Sequence, residues 1–390
     1  MLDAGSTRPP TPSRRTRPRT GRVGGIPNSE FRIPNSEFLL CGWPGGSSIQ
    51  HRGVGRARYT DDHDTMVCSA NSGPDSHSPD KGTVMGTALV IPSIGSPHLP
   101  TCLEAVEKLD PAPDLKLLVL SGDAEHPAEA RGFEVLRFSE RLGFAAAVNI
   151  GFERLPVGLE AAAVLNDDAI PAREWFGVLA SALGRDPKVA AVQGTVLDPS
   201  GSRVDGRGIE FDRWGLPVQI ARGTASIENE LSRPLVAVSA TACLYRLEAL
   251  RAAALSASTF FDPSFDCYHE DLDLGLRLGR LGWRSMWISG APTRHLGSAS
   301  GLTMNWRHPW WLLANRWRAL AGNLSRGALL ASLTQLLRGE ARAVHTLLRT
   351  NPRTLPVAMA VVLSLPVLLS SGWRRQSPGP RLEEIPRGAL

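Results

Sequence analysis

From Thr87 onward, short apolar runs alternate with stretches whose apolar residues recur at helical spacing. The run at residues 88–91, inside TALVIPSIG, is apolar without interruption and stops at Pro92, which predicts a strand buried on both faces. Leu99, Leu103, Val106 and Leu109 then fall on one side of a helix over residues 99–109. Residues 115–120 and 133–138 read as a second and third strand, with a helix at 143–155 after them. A fourth apolar strand, 161–169, runs into carboxylates, and Ile170-Pro171-Ala172 is expected to begin the next helix. Farther on, residues 272–281 repeat leucine at helical spacing, and 285–288 form another short strand. Strands and helices in alternation with short connections predict an α/β fold, a mostly parallel sheet flanked by helices. Ligands of such sheets bind at the carboxyl ends of the strands, so the residues just after each strand are the ones that matter.

The pattern fails at both ends of the chain. Residues 1–84 show no period, are dominated by Arg, Pro, Gly and Ser, and repeat IPNSEF at 26–31 and 33–38. Such a segment buries too little apolar area to offset ordering entropy. It is expected to be an unstructured or mis-started extension, with Met66 or Met85 as better starts; the alternative is a basic arm that touches phosphate-rich surfaces. The working chain then divides into a catalytic domain at 85–305 and a helical region at 306–390. In that region WRHPWWLLANRWRALAGNL (306–324) interleaves four Trp with three Arg, a composition that suits a membrane interface, a sugar-stacking groove or a packed helix pair. Residues 326–348 carry leucines at helical spacing, and the apolar stretch 355–372 is interrupted by Pro356 and Pro366. At 18 residues it falls short of the usual span. It reads as an interfacial or re-entrant helix rather than a membrane crossing.

Composition narrows the class. Apolar residues make up 42 % of 390, which excludes disorder of the whole chain. The net charge is +5, and 11 of the 43 basic residues against 8 of the 38 acidic ones lie before residue 85. Nucleic acid is therefore not expected as a partner. Five scattered cysteines without a CxxC pair argue against a disulfide framework or a structural zinc site and fit a reducing, cytoplasmic compartment. No secretory signal pattern is recognisable.

Three groups of residues carry candidate chemistry. Asn166-Asp167-Asp168 follows a buried strand directly; two acids there need a positive partner, and a divalent cation bridged to a diphosphate fits as well as a simple turn or helix cap. Asp262, Asp266, Glu270, Asp271 and Asp273 cluster in FFDPSFDCYHEDLDLGLRLGRLGWR, with Glu270 and Asp271 at or just before the start of an amphipathic helix. That is a rigid place to present a general base, and the density of acids exceeds what capping needs. His295, in TRHLGSAS, follows a short strand and precedes a Gly/Ser loop; alone it is as well explained by structure as by ligation.

The order of these motifs resembles glycosyltransferase family 2, the inverting nucleotide-sugar enzymes of the GT-A fold, and within it the bacterial rhamnosyltransferase-like branch. VIPSIGSPHLPTCLEAVEKL is similar to the family's opening strand, loop and helix, and RLGFAAAVNIGF to its Asn-x-Gly segment. VLNDDA stands in the place of its Asp-x-Asp-type motif, and SATACLYRLEAL is similar to the segment before the acceptor site. FFDPSFDCYHEDLDLGLRLGRLGW resembles the family's Glu-Asp block, and TRHLGSAS its His-x-Gly-Ser segment. The resemblance implies a GT-A fold with a C-terminal helical extension and a Mg or Mn cofactor held by Asp168 and His295. It implies Asp271 as general base with Glu270 as its orienter. Pro92, Ser93, Asp123, Asn149, Asn166 and Asp167 would meet the donor, and Trp283 and Asp266 the acceptor. The implied partners are a nucleotide-diphosphate sugar (dTDP-rhamnose or a UDP-sugar), a saccharide or lipid-linked saccharide acceptor for cell-envelope polysaccharide, and the inner face of the cytoplasmic membrane as a peripheral contact. Ser93-Ile94-Gly95 and Ser121-Gly122-Asp123 depart from the family's Thr-Tyr-Asn and Asp-Asn-x-Ser, which leaves the nucleoside base open. Two other classes stand beside this reading: a catalytically silent membrane-attached scaffold, and a nucleotidyltransferase, which would need the basic phosphate loop that is missing after the first strand.

Overall fold

The computed structural model describes residues 85–226, 230–297, 306–349 and 351–375. The expectations for residues 1–84, for the loop beyond 297 and for the last residues lie outside these. Strand β1 (Thr87–Ser93) is buried along its length and lies between β2 (Leu115–Ser121) and β4 (Ala161–Leu165), parallel to both. β3 (Glu134–Phe138) extends the parallel set beyond β2. On the far side of β4, β12 (Ala242–Arg246) runs antiparallel and joins it to β6 (Val189–Gln193). β13 (Arg284–Trp287) is parallel to β6, and β11 (Arg233–Leu235) closes that edge antiparallel. The sheet is therefore mixed, with β12 and β11 running against the six other strands.

The alternation of β1 explains the two layers. Leu89 and Ile91 face a core built from α1 (Leu99–Glu107) and α3 (Trp175–Arg185), with Leu103, Val106, Trp175 and Leu179. Ala88 and Val90 face the opposite core, built from α2 (Phe144–Glu153), α4 (Leu247–Ala252) and α5 (Glu270–Arg280), with Val148, Phe152, Leu250 and Leu274.

Two local expectations need correction. The fourth strand ends at Leu165 rather than running to 169, and no helix begins at Ile170. The chain turns through Asn166–Asp168, with the Ala169 amide donating to the Asn166 carbonyl at 3.1 Å, and enters β5 (Ala169–Pro171). β5 pairs antiparallel with β14 (Thr293–His295), far away in sequence, and that partner keeps the segment extended. β14 in turn lies beside β7 (Val196–Leu197), which pairs with β8 (Val204–Gly206), so a second, small sheet is set at the end of the first. β9 (Ile209–Phe211) and β10 (Pro217–Gln219) form a separate hairpin.

The helical region consists of α6 (Arg307–Asn323), α7 (Arg326–Ala331), α8 (Leu333–Leu348) and α9 (Thr354–Arg375). The stretch expected as one helix at 326–348 is two, meeting at Ser332. These helices share a core around Leu313, Trp317, Leu336, Val357 and Val361. α6 also belongs to the layer in front of it: Asn323 Nδ2 donates to Asp273 of α5 at 2.8 Å, and Ala319 packs in one cluster with Phe265 and Leu272. The change at 305/306 is thus one of composition, not a break in packing.

α5 can lie close to the sheet only because residue 275 has no side chain. A Cβ there would stand 2.3 Å from Ala237 Cβ and 2.8 Å from both Ala237 Cα and the Val236 carbonyl. Gly275→Ala is expected to lower stability by about 1–3 kcal/mol through overpacking. Thermal unfolding of the variant checks this; an unchanged midpoint would mean that α5 does not rest on the 236–237 backbone.

Candidate active site

The parallel strands deliver their carboxyl ends to one rim, and the acids gather there. Ser93, the last residue of β1, donates through Oγ to Asp167 Oδ2 at 2.6 Å, and its Oγ accepts from the Gly95 amide at 3.0 Å. Burial raises the Asp167 carboxyl to about 6, against the pull of the Ser93 hydrogen bond. Asn166 is fixed by its backbone, its amide donating to the Thr241 carbonyl at 2.8 Å, while its buried Oδ1 has no hydrogen-bond partner among the described residues.

Asp168 is 1 % exposed. His295 Nε2 stands 3.3 Å from its Oδ1, and apart from that contact neither oxygen has a donor among the described residues. The small sheet makes this pairing, because β5 begins just after Asp168 and β14 ends at His295; the Leu296 amide also donates to the Asp168 carbonyl at 2.9 Å. The other imidazole nitrogen, Nδ1, meets Asp205 Oδ2 at 3.0 Å. Asp205, on β8, in turn meets Arg222 at 3.1 Å. Burial alone would lower the His295 pKa, but the two carboxylates outweigh it and hold the ring up at about 9.

A buried carboxylate whose one polar neighbour is an imidazole suits a hard divalent cation, with an oxygen ligand and, once the ring gives up its proton to the incoming cation, a nitrogen ligand. Among the described residues no cluster of three or more His, Cys, Asp or Glu would hold a metal by protein alone. That fits Mg or Mn, which complete their coordination with water and substrate phosphates.

Glu270 and Asp271 occupy the first turn of α5, as expected. Asp271 accepts from the Leu272 amide at 2.8 Å and from the Ala240 amide at 3.3 Å. Glu270 is buried and its Oε2 has no hydrogen-bond partner among the described residues. Burial raises both carboxyls above their ordinary range, and the charge of Asp271 pushes Glu270 farther, well above it. The rest of the acid cluster divides by role. Asp262 caps the turn at Pro263–Phe265 by accepting from the Ser264 amide at 2.8 Å. Asp273 is ion-paired to Arg277 at 3.0 Å and is structural. Asp266 is exposed, with φ +60°, and its carbonyl accepts from Phe144 at the start of α2.

Beside the rim, at the ends of β1 and β2, opens a cleft of about 830 Å³ lined by Gly95, Ser121, Gly122, Asp123, Glu125 and Arg141. Asp123, expected to meet the donor, is one of the residues in its wall.

Three other expectations are corrected. Pro92 is buried within β1, aligned with Val119, and does not line the cleft. Asn149 faces inward, not toward a donor: Nδ2 donates to the Phe261 carbonyl at 2.7 Å and Oδ1 accepts from the Phe260 and Phe261 amides. It holds the segment that leads to the acid cluster. Trp283 lies at the opposite edge of the sheet, since the next residue, Arg284, pairs with Val189 at the start of parallel β6, whereas the rim is at Gln193. It packs against the α2–α4 core. Asp205 and Arg222 come from a stretch without periodicity or motif and carried no sequence signal. Asn315 did carry one, as a polar residue among the buried Leu313, Ala314 and Trp317 of α6.

A family model described as "Glycosyltransferase like family 2" matches residues 86–318. Among solved structures, GalNAc-T7 with UDP, GalNAc and Mn2+ is 14 % identical, with a TM-score of 0.47; the match covers 60 % of this chain and 47 % of that one. The mannosyltransferase PcManGT from Pyrobaculum calidifontis, with GDP-Man and Mn2+, is 15 % identical at a TM-score of 0.44, covering 78 % of this chain and 90 % of that one. No curated protein sequence matches the chain.

The buried Glu270 has a consequence for stability. Its folded pKa is raised, so the folded protein keeps a proton that the unfolded chain releases above its ordinary value of 4.5. Stability therefore falls as pH rises beyond that value, by up to about 1.4 kcal/mol per pH unit until the folded pKa is reached. Glu270→Gln removes this drift. The unfolding midpoint of the variant is expected to rise relative to the parent as pH increases above the ordinary Glu value of 4.5, read by thermal denaturation. A constant difference would show that Glu270 is ionised in the fold.

Proposed function

This chain belongs to glycosyltransferase-like family 2, and from that membership and the site we propose metal-dependent, inverting transfer of a sugar from a nucleoside-diphosphate donor to a hydroxyl of a saccharide acceptor. The α/β architecture, of the GT-A type, supports the reading. The observation that carries it is the Asp168–His295 pair at the rim where Asp271 also lies: Ala240 donates to Asp271, and the next residue, Thr241, accepts from the Asn166 amide.

Asp168 and His295 would hold Mg or Mn, which when bound neutralises charge on the departing diphosphate. Ser93 and Asp167 stand between that pair and the 830 Å³ cleft, which takes the nucleoside. Asp123 and Arg141 are its polar and charged walls. Resemblance to the rhamnosyltransferase-like branch favours dTDP-rhamnose or a UDP-sugar. The Asp271 carboxylate takes the proton of the acceptor hydroxyl as its oxygen attacks the anomeric carbon. The carbon–oxygen bond to the diphosphate breaks, the electron pair leaves with the nucleoside diphosphate, and the centre inverts. Glu270, kept neutral by burial, adds no second negative charge beside the base.

The helical region supports contact with the inner face of the cytoplasmic membrane, and hence a lipid-linked acceptor for envelope polysaccharide. Residues 354–373 make a helix long and apolar enough to cross a membrane, with only 22 % of its most apolar window buried. Leu355, Met359, Val362, Leu363 and Val367 are exposed along α9. Residues 306–375 hold ten Arg and one Glu, with no Lys or Asp. A row of apolar side chains in a strongly basic region suits peripheral binding to an anionic surface.

Two experiments test the reading. Purified full-length protein with Mn2+ or Mg2+ is screened against a panel of nucleotide sugars for transfer and donor hydrolysis. Asp271→Asn is expected to cut turnover about 100-fold or more while nucleotide binding is kept. The acid limb of the parent's rate is expected above the ordinary carboxylate range, because Asp271 is raised. Near-parental transfer by the Asn variant would refute the assignment. For the membrane contact, the protein should sediment with phosphatidylglycerol-containing vesicles, less so in high salt, and Leu363→Glu with Val367→Glu should release it. Equal recovery with and without vesicles would rule the contact out.

A further inference from the structure

The loop ahead of α5 is built in a way that base placement alone does not require. Asp266, Tyr268 and His269 have φ of +60°, +67° and +70°. Three non-glycine residues of four in the left-handed region are costly, and bulky ones especially so. α6 holds them there. Asn315 Nδ2 contacts the carbonyls of Phe265, Cys267 and Tyr268 at 2.7, 2.9 and 3.1 Å, and His269 Nε2 meets the Leu312 carbonyl at 3.2 Å. Burial lowers the His269 pKa to about 4, so at neutral pH the ring is uncharged.

This backbone turns one large aromatic outward. Tyr268 is 37 % exposed, whereas Tyr245 is buried in the core. The Tyr268 ring lies 5.6 Å from that of His308, edge to face at 85°, and 6.2 Å from that of Trp311, tilted at 41°. His308 and Trp311 both come from α6, and the Trp311 ring is half-buried. Tyr268 lies two residues ahead of Glu270 and three ahead of Asp271, at the head of α5, which places it beside these carboxyls. The nucleoside cleft is lined by other elements, at the ends of β1 and β2.

We propose that Tyr268 and Trp311, with His308 set edge to face against the tyrosine, form an aromatic platform that receives a pyranose ring of the acceptor and brings its hydroxyl to Asp271. The inference rests on the glycosyl-transfer reading and adds where the acceptor binds and by what chemistry. The flat C–H face of a pyranose covers an aromatic ring, and its hydroxyls find polar partners in the Tyr268 phenol and the exposed Asp266 beside it. A tyrosine whose backbone is held by α6 and a half-buried tryptophan carried on that helix offer such a surface with little freedom left to lose. The register is also right, since the platform residue Tyr268 precedes the base by three positions.

The test uses the full chain with UDP and Mn2+ and a panel of methyl pyranosides (gluco, galacto, manno and rhamno) in saturation-transfer NMR. At least one pyranoside is expected to bind. Tyr268→Leu and Trp311→Leu should each weaken it at least about fivefold, Tyr268→Phe should bind within about threefold of the parent, and nucleotide binding should be unchanged in all three. On the unaltered chain, bound pyranoside should slow nitration of Tyr268, a readout that needs no variant to fold. Four results would overturn the proposal: nucleotide binding without any pyranoside binding; Leu variants that bind pyranoside like the parent; nucleotide affinity lost together with pyranoside affinity, which would assign the rings to the donor; and nitration unaffected by a bound sugar. If neither nucleotide nor pyranoside binds, the glycosyl-transfer reading falls first and takes the platform with it.

Discussion

The cost of keeping carboxylates out of water governs this molecule. An ionised acid in a dry site is unstable unless something positive or hydrogen-bonding meets it. Asp168 is almost wholly buried, with an imidazole beside one oxygen and no donor on the other. The second sheet exists around this arrangement: β5 and β14 bring Asp168 and His295 together, and β8 supplies Asp205 to the other side of the ring. Arg222 then balances Asp205. Alternating charges hold the site in shape while leaving Asp168 short of partners, which is the condition a cation would relieve. Glu270 meets the same cost differently, by staying protonated.

Much of the fold was legible because interior strands of a two-sided sheet must be apolar at nearly every position, and β1, β2 and β4 come close to that. Helices α1, α2 and α5 announced themselves by spacing. What escaped was whatever depends on distant pairing. β5 looks like a helix start until β14 is beside it, and Trp283 looks like part of the Glu-Asp block until strand order sends it to the opposite edge. Asp168 and His295 were joined only by resemblance, since no local rule links residues so far apart; the fold brings them to 3.3 Å. Asp205 was invisible, because a short strand in an aperiodic segment gives no period to read. Asn149 looked chemical and turned out to be architectural, since its amide matches the backbone of residues 260 and 261.

Net charge misled in an instructive way. A small basic excess, part of it in the front segment, says little about partners. Read by region, ten arginines against one glutamate stand in residues 306–375, and the rest of the chain offsets them. Averages over a chain hide the asymmetry that an anionic surface would feel.

Asn315 reaches back to the carbonyls of residues 265–268 from about 50 positions downstream. A chain that ends before α6 still contains every strand of both sheets but lacks the side chain that gathers those three carbonyls. The left-handed backbone just ahead of Asp271 is thus set from outside the sheet, by a helix of the C-terminal region. Removing that region is therefore not a neutral truncation: it takes away a contact of the site together with the apolar face of α9.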